Sequence, residues 1–511
     1  MNPLVVAAAD YFSGWDTQRV GQLTQGTLTF AMRMRGAGRT GIAIEGGLAG
    51  EPRWQLWVTA QGLAVCAAWH NGWRRHDVPV SGLDDGAWHT VIVTSGSGRV
   101  RVWVDHDLIY QAPGEAWFAD SAAKPGGLDT LVVGRSLDGE RLMGEIADAT
   151  FYREVFIHDQ ALKVLEQPIP FSTSALVNHD GISYRIPALA SVEGTLVLVA
   201  DRRHNGPGDA PNVIDLVCQR STDGGRTWGD ASVIVPPFEG GASTDACLLY
   251  DQSTGTLWAL FSAYAPGSSQ PAVLRGDPGA EALIQAVAST DAGQTWQTPV
   301  TVTPTNANPA VRCLGVSPGA GAVMHDGTLV IPAYHEVDDG EGGLDFAATV
   351  LTSRDHGQSW QVGQPIWADG HPTYESTVFE GNPGDIVLMA RNQHPSGKVL
   401  RATSNDYGNA WDNVDFLADV PEIFSQPAST PLPDGRIAFC NPSAMLPYRG
   451  WGVVRASSDG GVTWPYHRTL NADRHGYQSM AVLPDGQLVV AWEHEWDSID
   501  VTVCPPDWLH P

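Results

Sequence analysis

STDGGRTW (221–228), STDAGQTW (289–296), SRDHGQSW (353–360), SNDYGNAW (404–411) and SSDGGVTW (457–464) are five versions of one octet. The shared form is Ser-x-Asp-x-Gly-x-Thr-Trp, with Ser or Ala replacing Thr in the third and fourth copies. An Asp carboxylate accepts backbone N–H groups a short way ahead and Gly supplies a positive φ, so the octet reads as a tight turn whose Trp packs back between strands. Strand-like runs flank it, DLVCQR before the first copy and VVRAS before the last. The copies recur at intervals of roughly 50–70 residues, the size of one four-stranded propeller blade. At about 57 residues per blade, residues 171–511 hold about six blades.

Ahead of the repeats the pattern changes. TLTFAMRM (27–34), WQLWVTA (54–60), HTVIVTS (89–95), RVRVWVD (99–105) and TLVVG (130–134) alternate apolar and polar residues between Gly, Asp and Pro. A period of two with frequent turn signals is the pattern of an antiparallel sandwich, one face of each sheet buried. The segments 84–94, 101–109 and 144–152 resemble the laminin-G/concanavalin-like sandwich, which implies a front domain that either binds glycans or acts as a spacer. HDQALKVLEQPIPFSTS (158–174) reads as a short helical piece followed by a Pro-containing linker. The expected domains are therefore a β-sandwich over residues 1–168 and a six-bladed β-propeller over 169–511, an all-β chain.

The 56 Gly, 35 Pro and 19 Trp among 511 residues suit short strands and many turns. A net charge of −27 argues against nucleic acid as a partner, because phosphate binding needs a basic face. It also means that an anionic substrate needs a local cluster of Arg. No apolar run approaches the ~18 residues of a membrane helix. The N-terminus MNPLVVAAADYF has no basic leader pattern, so the expected location is cytoplasmic, or secreted or periplasmic if a leader has been removed. Cys66, Cys218, Cys247, Cys313, Cys440 and Cys504 lie far apart with no CxxC pair. They read as small buried hydrophobes, with a pairing such as Cys218 to Cys247 left open. HEVDDGEGG (335–343) reads as an acidic, solvated loop, and no metal or organic cofactor is expected.

The octets look like the Asp-boxes of sialidases, which also occur in other propellers and so bear on fold more than on function. Residues outside them extend the resemblance, in the family's order, over nearly all of 171–511. YRIPAL (184–189) resembles the Phe/Tyr-Arg-Ile-Pro motif, which makes Arg185 the first of three arginines holding a substrate carboxylate. A guanidinium fork matches a carboxylate bidentately and keeps its charge at any working pH. ADRRHNGPGDAPNVIDLVCQRSTDGGRTW (200–228) resembles the loop of the general acid/base, with Asp209 preferred over Asp215 and Asp201. Asp245 resembles a further aspartate of the site. In HPTYESTVFEGNPGDIVLMARNQ (371–393) the resemblance implies Glu375 as base beside the nucleophile and Arg391 as second arginine; Glu380, at the turn, competes with Glu375. Arg449 matches the third arginine, with Arg455 as the alternative. RHGYQSMAVLPDGQLVVAWEHE (474–495) resembles the segment of the nucleophile, Tyr477, and of the late Glu that holds the first arginine, Glu493.

The resemblance implies an exo-α-sialidase acting with retention on sialylated glycans. Sugars carrying the same anomeric carboxylate, such as Kdn and Kdo, and transfer instead of hydrolysis fit the same residues. A non-catalytic propeller that binds glycans or proteins is the alternative of another class, and in it the Arg, Asp, Glu and Tyr set would be incidental.

Overall fold

The computed structural model describes residues 170–509 except 308–312, 339–343, 445–448, 496 and 507. Ahead of them it describes the strands between Pro3 and Tyr152 with some of their turns. The chain forms two compact units. One takes Met1–Phe171 with Ala444–Val453 and His467–Asp473, and the other takes Ser172–Ser443, Val454–Tyr466 and Arg474–Pro511.

The first unit carries two six-stranded antiparallel sheets. Gly26–Met34, His89–Gly96 and Arg99–Val104 lie side by side in one; Gly41–Leu48, Glu51–Thr59 and Gly62–Trp69 do so in the other. Alternation puts every second side chain inward. Phe30, Met32, Val91, Val93 and Val102 of the first sheet thus share a buried cluster with Ile44, Trp54, Leu56, Val58 and Val65 of the second. Each such side chain contributes about 1.5–3 kcal/mol on burial, which holds the sandwich closed.

From Phe171 to Cys504 the strands form six successive four-strand blades. The first comprises Ser183–Val192, Thr195–Arg203, Ile214–Ser221 and Ser232–Val235. The second comprises Ala242–Asp251, Thr256–Tyr264, Ala282–Ser289 and Val300–Thr301. Cys313–Val316, Leu329–Asp338, Leu344–Ser353 and Gln361–Val362 make the third. Thr373–Glu380, Ile386–Asn392, Lys398–Ser404 and Asp412–Pro421 make the fourth. The fifth runs Ala428–Pro431, Ile437–Ala444, Gly450–Ser457, Tyr466–Arg474. In the sixth, Gln478–Val482, Leu488–His494 and Ser498–Cys504 are completed on the outside by Phe171–Val177. The propeller's first strand thus closes its last blade.

All five octets occupy the turn between the third and fourth strands of a blade. Their bonding repeats: Ser221 Oγ donates to Asp223 (2.8 Å), Gly225 N to Ser221 Oγ (2.9 Å), and Thr227 N and Oγ1 to Asp223 (2.9 and 2.6 Å). These donors pull the Asp223 carboxyl down to about 2, Thr227 foremost. At the third octet Gly357 has φ 85°, and a Cβ there would stand 2.6 Å from the Trp258 ring. Gly357→Ala is therefore expected to destabilise the chain by about 1–3 kcal/mol, measured by urea unfolding.

Two expectations are corrected. Phe171–Ser174 begins a strand and is not linker, because it pairs with the end of the chain; residues 158–169, with the expected helix and boundary, lie outside the described residues. His335–Asp338 belongs to the strand Leu329–Asp338, with His335 buried, and only 339–343 of the acidic segment lies outside the described residues. All six cysteines are buried. Among the described residues no helix is long and apolar enough to cross a membrane.

Candidate active site

With the octets at one end of the blades, the other end is left to first-strand beginnings, second-strand ends and the connections between second and third strands. Arg185, Asp245 and Glu375 lie near the start of first strands, and Tyr477 immediately precedes one. Arg203, Arg391 and Glu493 stand at or next to the end of second strands. Asp209 lies on the connection after Arg203.

Bulges set the first-strand residues. Register shifts fall between Arg185 and Ala188, between Thr244 and Cys247, and between Thr373 and Ser376. Ile186 and Asp245 take φ of 58° and 59° there. A bulge bends the strand and re-aims its side chains, and left-handed backbone at a β-branched residue is a strain of the kind concentrated at functional sites.

Tyr477, 7% exposed, holds its phenol oxygen 2.6 and 2.7 Å from the two oxygens of Glu375, itself buried. Arg391 Nη1 donates to the same phenol oxygen at 3.0 Å and to Glu375 Oε2 at 2.6 Å. From the first blade, Arg185 Cζ lies 5.6 Å from the centroid of the Tyr477 ring. Glu493 receives Arg185 through Nε and Nη2 (3.2 and 3.3 Å) and also accepts the N–H of Ile186 at 2.7 Å. Burial alone would weaken both guanidinium charges. For Arg185, Glu493 and then Tyr477 and Asp209 outweigh it; for Arg391, Tyr477 and Glu375 do; both stay above the usual arginine value.

Asp209 has a largely exposed side chain, yet it is tethered: Arg203 Nη1 donates to it at 2.6 Å, and Arg185 Nη1 stands 3.8 Å away. Arg203 is 1% exposed and also holds Asp201 (2.9 Å), which is fully buried and accepts from Thr244 Oγ1 and the Asp245 N–H (2.6 and 3.1 Å). Burial pushes the Asp201 carboxyl up while Arg203 works against it. The Asp245 carboxyl stands well above the usual range, first through burial and then through Asp201. Removing Arg203 would leave a buried charge uncompensated. Arg203→Ala is expected to lower stability by about 3–5 kcal/mol, read by denaturant unfolding of the full chain.

The structure thus brings Tyr477, Glu375, Arg391, Arg185, Glu493 and Asp209 together, with Asp245 beside them through Asp201. Arg449 is half-buried, has φ 48°, and sits on the connection into Gly450–Ser457. The competing residues have other partners. Asp215 holds Arg202 (2.9 and 2.6 Å), and Glu380 accepts from His325 and from the Gly384 N–H. Arg455, fully buried, donates to Asn441 and Ser443 at 2.7 Å each, and burial drops its guanidinium to about 10. Sequence reasoning missed Arg203 and, at the rim, Tyr374 and Phe424, whose ring centroids lie 5.2 and 5.4 Å from Arg391 Cζ. The signal for Arg203 was parity: in Asp201-Arg202-Arg203 the first and third share a face, and Arg202 turns to Asp215 opposite it.

Residues 195–490, more than half of the chain, match the model of the BNR repeat-like domain. The chain belongs to this BNR family. Curated relatives include a sialidase of Micromonospora viridifaciens, 30% identical over 335 residues, covering 61% of this chain and 50% of the relative. Another is a sialidase of Bacteroides fragilis (strain YCH46), 28% identical over 363 residues, covering 65% and 64%. The chain thus spans from half to just under two thirds of the length of these relatives. Among solved structures, a Hadza microbial sialidase matches with TM-score 0.59 and 21% identity over 100% of this chain and 99% of that one. A leech intramolecular trans-sialidase complexed with 2,7-anhydro-Neu5Ac matches with TM-score 0.56 and 16% identity over 100% and 98%. At such identities these two bear on the fold alone, a β-propeller.

Proposed function

We propose that this chain is an exo-α-sialidase that releases terminal sialic acid with retention, through a covalent intermediate on Tyr477. One observation carries the reading: a buried phenol whose oxygen is shared between a carboxylate, Glu375, and a guanidinium, Arg391. A phenol with pKa near 10 is a poor nucleophile until a base takes its proton.

Sialic acid bears a carboxylate on its anomeric carbon. A carboxylate nucleophile would meet that charge directly, whereas a neutral phenol would not; sialidases are the known Tyr-nucleophile exception among glycosidases. Arg185, Arg391 and Arg449 take the substrate carboxylate, and Glu493 keeps Arg185 in place. The Tyr477 proton passes to Glu375 as the phenol oxygen bonds to the anomeric carbon. Asp209 gives its proton to the departing glycosidic oxygen. Asp209 then takes a proton from water, whose oxygen attacks the same carbon. Tyr477 leaves and recovers its proton from Glu375.

The test is product analysis by proton NMR on α2,3- and α2,6-linked sialosides. The α anomer of free sialic acid is expected first. Initial β anomer would refute retention, and no release from any sialoside would refute the activity. Parallel Kdn and Kdo ketosides identify the sugar, and a transferred or anhydro product would replace hydrolysis with transfer.

A further inference from the structure

We propose that Phe424 is a positioning residue for Arg391, its ring and that of Tyr374 forming a charge-neutral cradle that keeps the guanidinium on the Tyr477–Glu375 pair. This rests on the functional reading above for its kinetic consequence, though not for its geometry.

Phe424 is 41% exposed and has φ 61°. An aromatic residue both solvent-facing and in left-handed backbone gains little from its own packing. The loop around it is nevertheless braced on two sides. The Glu422 carboxylate, 9% exposed, accepts the Phe424 N–H at 2.7 Å. The Glu422 N–H donates to Gly397 O at 3.0 Å, which ties the loop to the turn that follows the Arg391 strand. Ser425 Oγ donates to Gly476 O at 3.1 Å, which ties it to the residue before Tyr477. The loop is thus fastened beside the Arg391 strand and beside Tyr477, and between them its ring lies against Arg391.

Chemistry gives the reason. Arg185 is held by a spectator carboxylate, Glu493. Arg391 Nη1 is held by the reactants themselves, Glu375 and Tyr477. During turnover Glu375 gains a proton and the Tyr477 oxygen becomes an ether, so both acceptors weaken together. A second carboxylate could brace Arg391 only by neutralising it. An aromatic face attracts the cation without cancelling its charge, which leaves that charge for the substrate carboxylate.

The ionisable groups around the pair are Arg391 and Tyr374 from the fourth blade, Arg185 from the first, Asp245 from the second and Glu493 from the sixth. With Phe424→Ala the KM for a sialoside is expected to rise about tenfold, more than kcat falls. Phe424→Trp should restore both, and Phe424→Leu, with bulk but no π face, should behave like Phe424→Ala. A wild-type KM in Phe424→Ala, or full rescue by Phe424→Leu, would overturn the proposal. Should the wild type turn over no sialoside, the functional reading fails by itself. The cradle is then read from tyrosinate absorbance as the difference between chains with Tyr477 and with Tyr477→Phe: a higher Tyr477 midpoint in Phe424→Ala supports it, and an unchanged one refutes it.

Discussion

Tyr477→Phe is expected to lower kcat on a sialoside by about 10³-fold or more while unfolding stability stays near that of the parent chain. The ring packing remains, and only the oxygen that Glu375 and Arg391 share is lost. Glu375→Gln keeps the shape but removes the base, and a loss of about 10²–10⁴-fold is expected. Phenol and carboxylate act as one unit, so the double variant should be hardly worse than the poorer single one. Additive losses would show that the two residues serve separate steps. Burst kinetics under rapid quench supply the direct check, because a covalent Tyr477 adduct should accumulate in the parent and vanish in Tyr477→Phe.

Asp209→Asn should divide substrates by their leaving group. A sugar alkoxide needs a proton as it departs, so hydrolysis of natural sialosides should fall by about 10²–10⁴-fold. A 4-nitrophenolate, with pKa about 7, departs unaided, and its loss should be at least about tenfold smaller. Equal losses on both would mean that Asp209 serves binding and not proton transfer. The side chain suits such a role: it is open to water, yet Arg203 fixes one oxygen at 2.6 Å.

What could be read from the chain beforehand followed from locality. The octets are self-contained turns, each bonded within its own few residues, so five copies announced the blades. Arg185, Glu375, Arg391, Tyr477 and Glu493 were legible because each sits in a short motif at a strand end. Contacts between blades were legible only where the family resemblance supplied them, as for Glu493 on Arg185 across 308 residues. Phe424 reaches Arg391 through a loop whose own sequence, Pro421-Glu422-Ile423-Phe424, suggests only a turn. Arg203 was overlooked because two adjacent arginines look equivalent until strand parity separates them. Strand order in the front unit was hidden for the same reason, since Gly144–Tyr152 pairs with Gly26–Met34 from the opposite end of that region.

Closure by Phe171–Val177 has a temporal meaning. A ribosome delivers the first blade, with Arg185, long before the last, with Tyr477 and Glu493. The early strand has no pairing strand until Ser498–Cys504 emerges, so the ring closes and the grip on Arg185 forms only once the sixth blade has been made. On the proposed mechanism a nascent chain would be inert until the circle is joined, and any lesion that frees that outer strand would silence chemistry at the centre without touching a reacting group.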